Sequence, residues 1–591
     1  MLLQLAKIPV YAALLAPLLV NRFLFFPFIT GKALFFRIAV EIGLLALILL
    51  CFLPEFRVPA LKKLKNPLVA AVTVFVLIFL ITSLTAVNPQ LAFWSNFERG
   101  EGAWQILHYY FFFLLAFLLF NSEEDWTKLL GWQATTASLA AVYALLQSLN
   151  PPPPWVIVPP SQPSGTLGNP SYLSLYLIFN LFFIGWLLLK EKERGWRWFW
   201  AGLGIFQFLI LLLARNRASI LALSLGVIIF LLGLSWQFFK SQRRRLAGLT
   251  LLIVLVVALT AGAFVGFIKG GDVFRAMEAR LWTWQSALQG FQEKPLWGWG
   301  IENFPILFDK YYNPRHFGRE SFFDRAHNIF LEYAASGGIL LLLAYLSIFY
   351  FLFKQTLLSP KKYLAIIPLI YLVNGLVLFE VLPIYLMLFL FLAFAGNNLA
   401  HFPQSPPLLI RPVKLVGLAG LIGLVILGFS FYHTIYRPLQ KNRLIYSLAL
   451  AQGPIEKVTE DFDQALRYPS IVGQPELLQQ LLNYNYNYLN LTEFTDRWFR
   501  QEQQQLVGVK ELYLQTLTLV KVFASTREQP YAEQARELIS EGRRLAPKRL
   551  EFIIEGIKLA RLTKDSQTET ELLTLAKKLR PDLDIDEQIK E

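Results

Sequence analysis

Cysteine is nearly absent: Cys51 is the one thiol in 591 residues. That excludes a disulfide scaffold and a thiolate metal centre. Cys51 itself, at the end of an apolar run, reads as a small hydrophobe. Five histidines leave little room for a His-rich metal site. Charge is scarce too, at 16% of residues against roughly 25% in soluble domains. Together with 55% hydrophobic residues and a mean hydropathy of +0.46, this excludes a water-soluble protein of this size and a disordered chain. The formal net charge is +14. In a soluble protein such an excess of base points to nucleic acid. In a chain this apolar it reads as basic loops held on the cytoplasmic side of a membrane, so no nucleic-acid partner is expected.

What the chain does have is a succession of apolar runs. A spanning helix needs about 20 mostly apolar residues. Runs near 8–28, 34–53, 66–84, 104–120, 128–149, 170–189, 197–213, 217–236, 247–267, 337–354, 362–380, 382–398 and 413–433 supply about thirteen spans by that criterion. The first run lacks a small-residue cleavage site after it, so it reads as a span and not as a removed signal peptide. Short basic loops set the orientation. Arg57, Lys62, Lys63 and Lys65 follow the second span. Lys190, Lys192, Arg194 and Arg197 follow the sixth, and Lys240, Arg243, Arg244 and Arg245 the eighth. Lys354, Lys361 and Lys362 follow the tenth, and Arg411 and Lys414 precede the last. All five clusters then share one side, the cytoplasm, which also places the N-terminus inside. Residues 85–103, 150–169, 214–216 and 268–336 and the whole region from 434 onwards fall outside. The fold class expected is all-α and polytopic: a transmembrane part over 1–433 with a large extracytoplasmic loop at 268–336, then a soluble helical domain over 434–591.

That C-terminal region changes composition after Tyr436. Glu, Gln, Lys and Arg interleave with Leu at helical spacing. Ala535, Leu538 and Ile539 form one stripe, Ala546 and Pro547 break it, and 550–562 forms another helix. A helix, Ala-Pro turn and helix of this length resembles a tetratricopeptide repeat, with a plain helical bundle as the alternative. The expected role is to dock or orient a partner, and it holds no catalytic constellation.

Charges near spans are expensive and so mark candidate sites. Arg37 and Glu41, four apart, read as a structural ion pair. On the outer side, ARNRAS at 214–219 puts Arg215 and Arg217 at the mouth of two spans, where guanidiniums either clamp a diphosphate or snorkel to the interface. In the long loop, Arg280, Trp284, Ala287 and Leu288 pattern as an amphipathic helix with Arg280 near its start, ended by Pro295, Gly298 and Gly300. Arg280 binds substrate or anchors that helix. In FFDRAHNIFLEYAASGGIL, Asp324 is the expected N-cap of a helix running to Ser336 and stopping at Gly337 and Gly338. His327 then occupies the third helical position, sharing a face with Asp324, where the helix dipole favours neutral imidazole. Neutral imidazole is the form a general base needs, though a lone helical histidine also serves structure. Asn328 and Glu332 share the neighbouring face. GTLGNPSYLSLYL at 165–177 places Asn169 beside a glycine-shaped turn. Arg99 and Glu101 sit just above the fourth span, where an interfacial salt bridge explains them equally well.

The ordered set GTLGNPSYLSLYL, ARNRASILAL, RLWTWQSALQGFQEKPLWGWGIENF and RAHNIFLEYAASGGI resembles the O-antigen ligase and O-antigen polymerase superfamily of bacterial envelope glycosyltransferases, over roughly residues 65–400. The resemblance implies a C-type glycosyltransferase architecture that needs neither metal nor cofactor. It implies transfer of a glycan from an undecaprenyl-diphosphate donor to an acceptor hydroxyl at the outer face of the cytoplasmic membrane. By position, His327 matches the family's proposed general base. Arg280 matches an upstream helix arginine, and Arg217 the arginine of a Ser-Arg-Gly-Ala-like segment that here reads Asn-Arg-Ala-Ser, leaving Arg215 as its rival. Asn169 and Arg99 match further segments, and Asp324, Asn328 and Glu332 join them as substrate-binding candidates. The acceptor is a lipid-anchored glycan, a second carrier-linked glycan or a protein. Ligase, polymerase and protein O-oligosaccharyltransferase therefore stay open, the helical tail offering a surface for a protein partner. From other classes, a polytopic transporter would use Asn374, Glu380 and Pro383, and a membrane-anchored scaffold would work through its helical tail.

Overall fold

The computed structural model describes residues 2–159, 163–238, 271–399, 414–451, 453–489, 491–502 and 508–590. The expected span 247–267, the basic cluster 240–245 and Arg411 lie outside these residues. Every regular element among the described residues is helical. Eight helices, among them Thr30–Cys51, Pro67–Leu84, Pro170–Lys190, Ile329–Leu357 and Leu382–Leu399, are long and apolar enough to cross a membrane, and shorter apolar helices accompany them. The fold is that of a polytopic membrane protein. Each expected span within the described residues meets a helix, but the first is cut short. Leu2–Ala13 carries Pro9 and gives way to a single turn at Ala16–Leu18, so 19–28 is not helical.

Helix starts are written locally. Asn-Pro pairs open Pro67–Leu84, Pro89–Trp94 and Pro170–Lys190: the Asn66, Asn88 and Asn169 side chains accept from Leu68, Leu91 and Ser171 N–H at 2.9, 3.0 and 2.8 Å. Proline at the first helical position loses no hydrogen bond and presets φ. Leu382–Leu399 lies at the centre of the bundle, buried over most of its length. Tyr109 of Ala103–Leu119 stacks on its Phe389 with ring centroids 5.8 Å apart. Several polar groups inside the bundle bond one another, which lowers the cost of placing them in a membrane. Gln133 donates to Tyr176 Oη at 2.8 Å and Asn180 Oδ1 at 3.1 Å. Arg37 and Glu41 do not pair. Arg37 donates to Gln105 Oε1 at 2.6 Å and Gly100 O at 3.2 Å, whereas Glu41 meets His108 and Ser430. Non-local acceptors outcompete the neighbour four residues on.

The two ends of the bundle differ. At one end Lys7 pairs with Asp125, Lys63 reaches Asn121 and Asn397, Lys190 pairs with Glu123 at 2.6 Å, and Lys361 donates to Asn398 O at 2.6 Å. Members of three loops expected to share a side thus meet there. At the other end sit 85–102, 165–172, 214–219, 295–328 and 376–381. The C-terminal helical unit packs on this second end. The last apolar helix, Lys414–Ser430, runs through a wider-wound segment, Phe431–Tyr436, directly into Arg437–Ala449. The helix therefore does not break where composition shifts at 434. The wide turn just before Pro438 accommodates a ring that would clash in a regular helix. Beyond it, consecutive antiparallel helices including Val509–Thr526, Gln529–Leu545 and Leu550–Thr563 pack on their neighbours, with Ala535, Leu538 and Ile539 buried as expected. No repeat signature identifies them as tetratricopeptide repeats.

Candidate active site

The site is built on an interlock between two glycine segments. Helix Gly271–Glu293 ends before Pro295, as its sequence requires. The chain then turns at Gly298 (φ 69°) and Gly300 (φ 103°) and lays its backbone on helix Ile329–Leu357. Trp299 and Gly300 N–H donate to Ala335 and Ser336 O at 3.0 and 2.7 Å, and Ile339 N–H donates to Pro295 O at 2.8 Å. These carbonyls are free because the helix kinks at Gly338 (φ 68°, ψ −172°). The expected stop at Gly337 and Gly338 is thus a kink inside a longer helix. A Cβ on Gly338 would lie 2.2 Å from Leu296 O, so the contact admits only glycine.

The loop leading into this helix departs from its expected form. Helix Ile329–Leu357 starts at Ile329, capped by Asn328, whose Oδ1 accepts from Phe330 and Leu331 N–H at 3.0 and 3.1 Å. Asp324 is not the cap. Its carboxylate takes a two-pronged ion pair from Arg99, one prong being Nη2 to Oδ1 at 2.9 Å. Arg99 therefore pairs with Asp324 and not with Glu101, whose carboxylate accepts from Tyr109 Oη–H at 2.9 and 3.1 Å. Burial pushes the Asp324 carboxyl up, but the Arg99 guanidinium outweighs it and holds the group below the usual carboxylate range.

His327 is not helical. It holds a left-handed backbone (φ 51°), a conformation of order 1–3 kcal/mol less favourable for a non-glycine residue, which a loop keeps only when its surroundings impose it. Its half-buried ring stacks on Phe379 at 5.0 Å and meets Phe323 edge-on at 5.6 Å. Arg99 lies over the same Phe379 ring at 4.9 Å, so the imidazole and the ion pair share this aromatic neighbour. Burial, then the Arg280 guanidinium, pulls the imidazole down to about 4, with Arg99 and Arg325 adding to the effect and Asp324 opposing it. The imidazole is neutral at physiological pH, as expected, but through burial and neighbouring cations and not through a helix dipole.

Arg280 stands mid-helix in Gly271–Glu293, not near its start. One turn further on, Trp284 Nε1–H donates to Ala326 O at 2.9 Å, which fixes this face of the helix beside His327. Leu288 lies off the buried stripe, exposed. Arg215 (φ 50°) and Arg217 are exposed at the start of helix Arg217–Phe238. Asn216 between them donates to Ser171 Oγ at 2.6 Å, and Ser219 donates to Asn374 at 3.3 Å. Tyr172, next to Ser171, packs edge-on against Phe379 at 6.1 Å. The 215–219 turn thereby joins the His327 cluster through Ser171, Tyr172 and Phe379. Arg215, Arg217 and Arg280 make no ion pair within 4 Å among the described residues, although the Glu320 carboxylate attracts Arg280 from further off, whereas Arg99 and Arg325 are paired. Asn169 caps helix Pro170–Lys190 with its oxygen and is otherwise exposed.

Beneath Phe379 lies a narrow cleft, about 340 Å³ including its open mouth, lined by Glu101, Glu302, Arg325, Glu332, Glu380 and tyrosines 333 and 385. Sequence pattern alone assigns Arg325, Glu302 and Phe379 no role. The signal was there for Arg325, which stands inside the RAHNIF segment. It is buried and pairs with Glu302 and, at 3.4 Å, Glu332. Glu332 also accepts from Ala326 N–H at 2.7 Å. Both its oxygens are therefore engaged in shaping the 324–328 loop. Glu380 keeps one carboxylate oxygen without a hydrogen-bond partner, and burial pushes this acid up to about 8.

Residues 202–346, about a quarter of the chain, match the family model described as O-Antigen ligase. The match takes in Arg215, Arg217, Arg280, Asp324, His327, Asn328 and Glu332 and leaves out Asn169, Arg99 and the C-terminal helical unit. No curated protein matches the chain. Glycan transfer at a membrane is the class of activity this match supports. Within a polytopic helical fold, the segment that matches the O-antigen ligase family model contains His327 together with Arg215, Arg217 and Arg280.

Proposed function

We propose that this protein transfers a glycan from an undecaprenyl-diphosphate carrier to an acceptor hydroxyl, at the outer face of the cytoplasmic membrane, without a metal. The observation that supports this most is a neutral imidazole near Arg280, a guanidinium with no ion-pair contact among the described residues, both within the matched segment. A glycosyl diphosphate already has a good leaving group. The reaction needs a base for the acceptor and positive charge for the departing phosphates. His327 takes the acceptor O–H proton as that oxygen bonds to the anomeric carbon. The bond from that carbon to the phosphate oxygen breaks on the opposite face, so the configuration inverts and the carrier leaves as its diphosphate. Arg280 and Arg217 or Arg215 hold the diphosphate. Their fork geometry suits two phosphate oxygens, and no ion pair among the described residues has to break for them to do so.

Arg99, Asp324, Asn328 and Glu332 act here by holding His327 in place and not by touching substrate. Orientation follows the basic loops: the end that gathers Lys7, Lys63, Lys190 and Lys361 faces the cytoplasm, with the N-terminus, and the His327 end faces outward. The test is reconstitution in vesicles with a carrier-diphosphate glycan and a panel of lipid-anchored, carrier-linked and protein acceptors, followed by product mass. Addition of the glycan mass to one acceptor supports the proposal and names the acceptor class. Carrier release without any glycosylated acceptor, or no turnover at all, refutes it.

A further inference from the structure

The helical unit after Arg437 stands outside the matched segment, yet it grips the site at two places. The first grip is on the Arg99 side. Phe97 belongs to the apolar core of the C-terminal unit, with Ile445, Leu477 and Leu481. Its N–H donates to Glu476 Oε1 at 2.6 Å, and Glu476 is buried. Arg99 is two residues further on.

The second grip is on the Asp324 side. Arg549 of the C-terminal unit is fully buried. Its Nη2 donates to Asp309 Oδ1 and to Ser321 O, both at 2.7 Å, and its Nη1 to Glu551 at 3.1 Å. The guanidinium lies over the Tyr312 and Phe322 rings at 4.5 and 4.1 Å. Asp324 is three residues beyond Ser321. The same helical unit thus holds both segments whose tips meet as the Arg99–Asp324 ion pair beside Phe379 and His327.

From this juxtaposition we propose that Glu476 and Arg549 are positioning residues for glycan transfer, acting through the Arg99–Asp324 pair to hold the left-handed His327 loop. The inference rests on the reading of His327 as the base. It also gives the helical tail a part in the chemistry that its lack of reactive constellations conceals. Deletion of the tail would strip the cover from Phe97, so point variants of the full chain are the proper probe.

The experiment compares full-length Arg549→Met, Glu476→Leu and Glu476→Gln in vesicles with a carrier-diphosphate glycan donor. A misplaced base lowers turnover more than binding, and displacements of about 1 Å cost on the order of 100-fold in rate. Arg549→Met and Glu476→Leu are expected to lower kcat about 10- to 100-fold on that basis, with donor KM within about twofold. Glu476→Gln keeps an acceptor for Phe97 N–H and is expected to retain near-native kcat. In an Asp324→Asn background, Arg549→Met is expected to lower the residual rate less than about twofold, because the route through the ion pair is already cut. Hydrogen exchange gives a readout free of activity: amides 321–328 exchange faster in Arg549→Met, while those of 103–119 do not change. Arg544→Ala, an exposed pair with Glu541 on the same unit, leaves kcat unaltered.

The proposal is overturned if Arg549→Met keeps native kcat, if its loss multiplies fully with that of Asp324→Asn, or if exchange at 321–328 does not move. Failure of the underlying reading looks different: His327→Ala would then transfer glycan normally. A dead His327→Ala beside a normal Arg549→Met removes only the present inference.

Discussion

The position of the acid limb of the pH–rate profile follows from the His327 environment. An ordinary histidine titrates near pH 6.5. Burial and the Arg280 guanidinium bring this one down to about 4. As the pH falls from 7.5 to 5.5, a base titrating near 6.5 would lose roughly 10-fold in its neutral fraction, whereas one titrating near 4 loses only a few per cent. kcat/KM for the donor, which reports the free enzyme, should therefore be almost flat from pH 7.5 to 5.5 and fall only towards pH 4. Two variants fix the sign. Arg280→Gln removes a cation that disfavours the imidazolium, so the limb moves up. Asp324→Asn removes a carboxylate that favours it, so the limb moves down. The assay is initial-rate transfer in vesicles buffered from pH 4 to 8, with protein integrity checked after each incubation. A wild-type limb centred near pH 6.5, or a limb that Arg280→Gln leaves in place, would refute the reasoning.

Three further outcomes are expected. Arg217→Gln and Arg280→Gln should raise donor KM about 10-fold or more each, at the strength of charge-assisted hydrogen bonds to phosphate, with a weaker dependence on salt than wild type; unchanged KM and salt slope for both would count against a diphosphate clamp. Gly338→Ala would put a Cβ 2.2 Å from Leu296 O in a left-handed backbone, so the folded yield and the melting temperature in detergent should drop sharply, and a native melting temperature would show the interlock to be slack. Arg325→Met leaves Glu302 and Glu332 buried without their counter-charge, a loss of about 3–5 kcal/mol for a broken buried pair, to be read as lowered thermal stability, and a loss under about 1 kcal/mol would contradict the buried network.

The membrane architecture was legible because apolar runs of spanning length carry it directly, as was the glycine-rich break after Glu293. What could not be read were partners distant in sequence. Asp324 and Asn328 are both cap-type residues. Local rules favour Asp324, but Arg99, 225 positions away, claims its carboxylate, and the helix starts at the later cap. The same competition undid the Arg37–Glu41 pair, whose members find Gln105 and His108 instead. His327 stands out in the sequence by residue type and company, yet its neutrality comes from tertiary burial that no spacing encodes. Arg280 reads as lying near a helix start because the apolar pattern is weak upstream of it, although the helix begins at Gly271. Phe379 and Glu380 sit at the tail of an apolar run and looked like part of a span. Arg549 resembled any surface arginine of a polar helical unit, and only its contacts with Asp309 and Ser321 set it apart.

The central claim is that His327 removes the proton of the acceptor. Single-turnover transfer by purified His327→Ala, with donor loaded to saturation and binding verified by retention on vesicles, tests it most directly. The account predicts that the variant binds donor with near-native affinity yet forms glycosylated acceptor at least about 100-fold more slowly, as loss of a general base implies. Product appearing at the wild-type rate would contradict it.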